Sequence, residues 1–115
     1  MNWFVAKLIF EIETQDSKHP QFDEQLRLIE AVNEELALEM AYQLGSMQQE
    51  EIINSNNHQV AWKFVAVTEI ENIGEIAHGK EIHYKINEPE QVEQYLALVS
   101  VKAAQLKNRK SIYQE

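Results

Sequence analysis

The stretch NWFVAKLIFEIE, residues 2–13, constrains this chain more than any other. It is rich in β-branched and aromatic residues, the types that suit a pleated surface. Its even positions, Phe4, Ala6, Leu8, Phe10 and Ile12, are all apolar. Its odd positions include Trp3, Val5 and Ile9, with Lys7 among them. A strand with one wet face alternates apolar with polar residues, so this one needs a cover on both sides. The even face is assigned to the core. The odd face is either a second covered layer or an interface.

The rest of the chain supplies partners for that strand. TQDSKHPQ reads as a hairpin loop, because Asp, Ser and Pro favour turns. Phe22–Val32 reads as a second strand: Phe22, Leu26 and Leu28 alternate, and Ile29, Ala31 and Val32 break the parity, which predicts a bulge or twist near its end. Asn33 followed by Glu34 and Glu35 starts a helix, with the asparagine oxygen capping free N–H groups and the acids facing the positive dipole end. Leu36, Met40, Leu44 and Met47 recur at helical spacing, and Gly45 marks an end or kink. NSNNHQ is an exposed turn. Val60–Ile73 reads as a third strand, with Val60, Trp62, Phe64, Ala66 and Ile70 on one face and Ala61, Lys63, Val65 and Val67 on the other. KEIHYKIN reads as a fourth, with Ile82, Tyr84 and Ile86 inward. A last helix opens near Pro89 and places Val92, Tyr95, Leu96, Val99, Ala103 and Leu106 in a buried stripe, with Lys102, Lys107, Arg109 and Lys110 toward its C-terminal end.

This order predicts an α+β fold: a four-stranded, mostly antiparallel sheet in ββαββα order with two helices packed on it. At 115 residues the chain is read as one α+β domain, 1–115, large enough to bury roughly two-thirds of its unfolded surface. WFVAK near the start and WKFVAV after the first helix share strand chemistry.

Charge and composition narrow the function. A formal charge of −9 opposes binding to nucleic acid, which needs a Lys/Arg footprint, and suits a basic protein partner. With no cysteine, disulfides, thiolate metal sites and thiol catalysis are excluded. No segment approaches the ~20 apolar residues of a membrane span, and the apolar start lacks the flanks of a secretory leader, so a cytoplasmic location is expected. The four histidines, His19, His58, His78 and His83, show no metal-ligand spacing, although His78 and His83 flank one turn. There is no nucleophile elbow, and three glycines cannot build a phosphate loop. Neither a metal nor a cofactor is implied.

Two apolar strand faces remain without an assigned cover. Trp3, Val5 and Ile9, with Lys7 between them, join Val65 and Val67 as a candidate interface, and Ile29 and Ala31 are candidates to extend it. Patches beyond a few hundred Å² mark interaction sites. The favoured expectation is a non-enzymatic domain that forms a homo-oligomer or binds a protein through its sheet. One alternative is an acidic antagonist of a basic partner, such as an immunity protein. Another is a small-molecule or enzymatic site between sheet and helix, using Trp62, His83, Tyr84 or the hairpin acids Glu11, Glu13, Asp23 and Glu24. Lys7 is expected to lay its stem on apolar surface and reach an acid such as Glu24.

The segments WFVAKLIFE (3–11), DEQLRLIEA (23–31), A-x-x-L-G (41–45) and WKFVAV (62–67) together resemble a family of small bacterial proteins classed as a domain of unknown function. Its members begin W-[YF]-x-A-K-L-[IL]-[FY] and carry a later W-[KR]-F-x-x-V. The resemblance spans about Trp3 to Ile73. It implies a stand-alone α+β domain and transfers no catalytic residue.

Overall fold

The computed structural model describes residues 1–16 and 18–112, with side chains as far as 109. Its elements run β1 (Asn2–Thr14), β2 (Gln21–Ala31), α1 (Glu34–Met47), β3 (Glu50–Ile53), β4 (Gln59–Gly74) and α2 (Val92–Ile112). The four strands form one antiparallel sheet in the order β2-β1-β4-β3. The fold is therefore α+β in ββαββα order, as the sequence predicts. The chain divides into two compact units, Met1–Ile82 and His83–Glu115.

The most apolar strand takes a central place, where β2 and β4 satisfy its backbone on both sides. Phe4, Ala6, Leu8 and Phe10 are at most 1% exposed, so the even face is core. Each large side chain buried this way contributes about 1.5–3 kcal/mol. α1 covers that face. Asn33 caps it, its Oδ1 accepting from the Leu36 N–H at 2.8 Å, and Glu34 and Glu35 sit in the first turn.

The helix side facing the sheet differs from expectation. Ala37, Ala41 and Gly45, four residues apart, are the buried positions. Leu44 is half-buried against the core, whereas Leu36, Met40 and Met47 are exposed. The sheet supplies the bulk here, through Phe4, Phe10 and Phe64, so the helix must supply small residues. A Cβ on Gly45 would overlap the Phe64 ring. Gly45 consequently lies inside α1, which runs on to Met47 and is closed by the Gln48 N–H bonding back to Leu44 and Gly45 carbonyls.

Two strand assignments also change. KEIHYKIN forms no strand: residues 80–91 are irregular, and Ile82, Tyr84 and Ile86 are exposed. The remaining strand is instead Glu50–Ile53, which pairs with the start of β4 through a tight turn. In that turn the Asn54 carbonyl accepts from the Asn57 N–H, the Asn54 side chain accepts from the N–H groups of Asn56 and His58, and Asn57 takes a left-handed φ of 63°. Asparagine supplies both the side-chain acceptor and tolerance of that φ. Alternation without an adjacent partner does not make a strand, while four residues beside a short asparagine turn do.

The predicted bulge is absent from β2, whose register with β1 is continuous from Asn2↔Ala31 to Ile12↔Gln21. The parity change has another cause: Phe22, Leu26 and Leu28 face one side of the sheet, and Ile29 and Ala31 the other. The irregularities lie between β1 and β4, at Trp3/Phe4, Lys7/Leu8 and Ile9/Phe10, and leave Ile73, Thr68 and Val65 of β4 without a β1 partner. Such extra residues bend and twist a strand.

Among the described residues of its own unit, α2 is the only regular element. Val92, Tyr95, Leu96, Val99 and Leu106 are exposed, not buried as the helical stripe suggests.

Candidate interaction surface

The face of the sheet away from α1 is built by β1, β2 and β4. Residues opposed across a strand pair share a face, so the register assigns them. Trp3, Val5, Lys7 and Ile9 lie opposite Glu30, Leu28, Leu26 and Glu24 of β2. On the other side Val5, Lys7 and Ile9 lie opposite Glu71, Glu69 and Ala66 of β4. Among the described residues of the Met1–Ile82 unit no helix covers this face. Phe22, Leu26 and Leu28 are 58%, 54% and 53% exposed, Trp3 and Ile9 are half-buried, and Val5 is nearly buried among its neighbours.

The bulges of β4 sort the remaining candidates. Val67 lies opposite Leu8 and packs against the core cluster on the α1 side. Val65 is an unpaired bulge residue and is exposed. Ala66 faces the surface rather than the core, because the bulge at Val65 inverts the parity after Phe64. Ile29 and Ala31 belong to the core, opposite Phe4 and Asn2. Sequence reasoning missed Phe22, Leu26 and Leu28 as surface residues. Their even spacing was the available signal, but only the register with β1 shows which face it serves.

Lys7 stands in the middle of the apolar patch. Its Nζ lies 3.3 Å from Glu24 Oε1 and 3.4 Å from Glu69 Oε2. Hydrogen bonds to Glu24 and then Glu69, followed by their charges, hold the ammonium above the ordinary lysine range. The side chain is 30% exposed, with its stem beside Val5 and Ile9 and its head between two acids. Held between two acids, this lysine places a compensated charge inside an apolar surface. Glu30, Glu69 and Glu71 give the patch an acidic rim.

The hairpin acids are occupied rather than converged. Glu13 Oε2 is 2.8 Å from Lys63 Nζ, and that contact raises the lysine pKa. Glu11 lies opposite Lys63, Glu24 holds Lys7, and Asp23 accepts from Gln25 Nε2 at 2.6 Å. Trp62 faces the α1 side, opposite Ile12, whereas Trp3 faces away from it, so the two similar segments serve opposite faces. His83 and Tyr84 fall in the other unit and are exposed. An open groove of about 510 Å³ near β3 is lined by Gln15, Glu51, Ile52, Ile53, Asn57 and Gln59, which offer a single carboxylate and no base. Among the described residues no three His, Asp or Glu side chains are grouped to hold a metal ion, and no helix is long and apolar enough to cross a membrane.

A family model described as "Domain of unknown function (DUF4288)" matches residues 3–84. The match covers all four strands and α1 and stops close to the boundary between the two units. No curated protein and no solved structure matches the chain.

Proposed function

The chain belongs to the family described as a domain of unknown function, DUF4288, and on that premise we propose that it is a non-enzymatic protein-binding domain that self-associates or docks another protein through the sheet face away from α1. One observation carries this reading: Trp3, Val5, Ile9, Phe22, Leu26 and Leu28 share a face that no helix of their own unit covers. Leaving several large apolar side chains in water forfeits about 25 cal/mol for each Å² of apolar surface, which a docked partner would recover. The compensated Lys7 supports the same reading, because it keeps the patch from being uniformly apolar without leaving an unpaired cation. Among the hairpin acids, Glu13 is tied to Lys63, Glu24 to Lys7 and Asp23 to Gln25, which supports binding over catalysis. A bacterial cytoplasmic setting for this chain is part of the proposal.

Light scattering and sedimentation of the purified chain test the proposal. An assembly at tens of micromolar is expected, and Leu28→Glu, at a half-exposed position, dissolves it while leaving the circular dichroism spectrum unchanged. A wild-type chain that stays monomeric, or a Leu28→Glu chain that assembles equally well, overturns self-association through this face.

A further inference from the structure

We propose that the partner is a second copy of this chain, joined through antiparallel pairing of the two β2 edge strands in the register that sets Gln25 opposite Gln25 of the other copy. The inference rests on the self-association reading above and places its contact at the β2 edge that borders the apolar face.

The two edges of the sheet differ. β3 is four residues long and begins with two glutamates, a short and charged edge of the kind that resists pairing. β2 is eleven residues long, and its outer side has no strand partner. It also carries a polar row on the α1 side: Gln25 Nε2 donates to Asp23 Oδ2, and Arg27 donates to Gln25 Oε1 at 3.0 and 2.7 Å. An acid stands at one end of that row and a base at the other, with an amide between them. Rotated by a twofold axis through Gln25, the row complements itself, with Asp23 facing Arg27 twice.

Charge selects this register. Opposed residues share a face, so only pairings whose residue numbers add to an even sum are admissible. A sum of 46 sets Asp23 against Asp23, 48 sets Glu24 against Glu24, and 54 sets Arg27 against Arg27, all like charges directly opposed. A sum of 52 leaves both Asp23 and Glu24 opposite apolar residues, Ile29 and Leu28, with no opposite charge facing either. A sum of 50 pairs Asp23 with Arg27 and, on the other face, Phe22 with Leu28, and leaves Glu24 opposite Leu26, where it keeps its own contact with Lys7. Edge pairing sets the two apolar faces side by side in one continuous surface.

A charge-swap series on the full chain tests this. Asp23→Arg and Arg27→Asp each weaken dimerisation by roughly ten-fold or more, and the double variant restores it, since the swapped row is again self-complementary. Under mild oxidation Gln25→Cys gives a covalent dimer, because opposed Cα atoms in antiparallel strands lie ~4.5–5.5 Å apart, within disulfide reach. Gln21→Cys does not. Both single variants change residues on the α1 side of β2, so a dimer that tolerates them and is lost in Leu28→Glu overturns edge pairing and leaves the face reading standing. Loss without restoration, or equal cross-linking at positions 21 and 25, overturns the register. A wild-type chain that remains monomeric overturns this pairing and the self-association reading, and leaves docking of another protein as the reading of the face.

Discussion

Gly45 of α1 lies so close to the ring of Phe64 on β4 that no larger residue fits between them. Phe64 is also in ring contact with Phe10 and Tyr42, with centroids 5.6 Å apart in both cases. The glycine thus fixes how near the helix approaches the sheet, and the aromatic cluster fixes what it approaches.

Gly45→Ala is therefore expected to destabilise the fold, although Ala is worth about 1 kcal/mol more than Gly inside a helix. Overpacking a filled site costs about 1–3 kcal/mol, and here the backbone of α1 or the Phe64 ring has to move. Urea unfolding measures the net loss. In a double-mutant cycle, Phe64→Leu should cost less in the Gly45→Ala background than in the wild type, because the smaller side chain relieves the overlap. Additive losses would show that the two residues do not press on each other.

The same contact shows why some of the architecture was legible and some was not. The buried even face of β1, the Asn33 cap and the asparagine turn each rest on local chemistry, and each stands where sequence places it. The buried line of α1 does not follow its largest residues. Choosing Ala37, Ala41 and Gly45 over Leu36, Met40 and Met47 requires knowing that three phenylalanines of the sheet already fill the space. Register was illegible for a similar reason. Ala66 and Val67 exchange faces because Val65 is unpaired in the ladder with β1, and a bulge of one residue has no signature in an unbroken apolar run. The sheet face away from α1 was accordingly half-legible: Trp3, Val5, Lys7 and Ile9 share it, β2 adds Phe22, Leu26 and Leu28, and Val67 packs on the core side.

The inversion at Val65 separates two neighbouring valines by consequence. Val67→Ala removes two methyl groups from the cluster around Leu8 and should cost about 1–3 kcal/mol. Val65→Ala, at an exposed bulge position, should stay within about 0.5 kcal/mol of wild type. Denaturant titration of the two variants checks the assignment. Equal losses would mean that the faces of β4 are not divided as the register has them.

A chain ending after Tyr84 should retain a cooperative unfolding transition and a dispersed amide spectrum. The unit Met1–Ile82 contains the whole sheet and α1, every buried apolar residue among the described ones lies between Phe4 and Ile73, and the family match ends at 84. Nuclear magnetic resonance and urea titration of the shortened chain test this. A broad, non-cooperative transition would show that residues beyond 84 are required for the core to form.

Lys7 provides a test by pH. Hydrogen bonds and charge from Glu24 and Glu69 raise its pKa above the ordinary 10.5, so the folded state binds this proton more tightly than the unfolded chain does. The stabilisation from the ion pairs is then fully present below the unfolded lysine value and is lost as pH rises through the higher folded value. The stability difference between wild type and Lys7→Met should stay flat from about pH 7 to about pH 9 and shrink above about 10.5. Added salt should narrow it at every pH, because both carboxylates are more than half exposed and screening reaches them. The Cε resonance of Lys7, followed by carbon-detected titration, should move at higher pH in the folded chain than in the urea-unfolded chain. If it moves at the same pH in both, or the stability difference ignores salt, its contacts with Glu24 and Glu69 do not persist in solution.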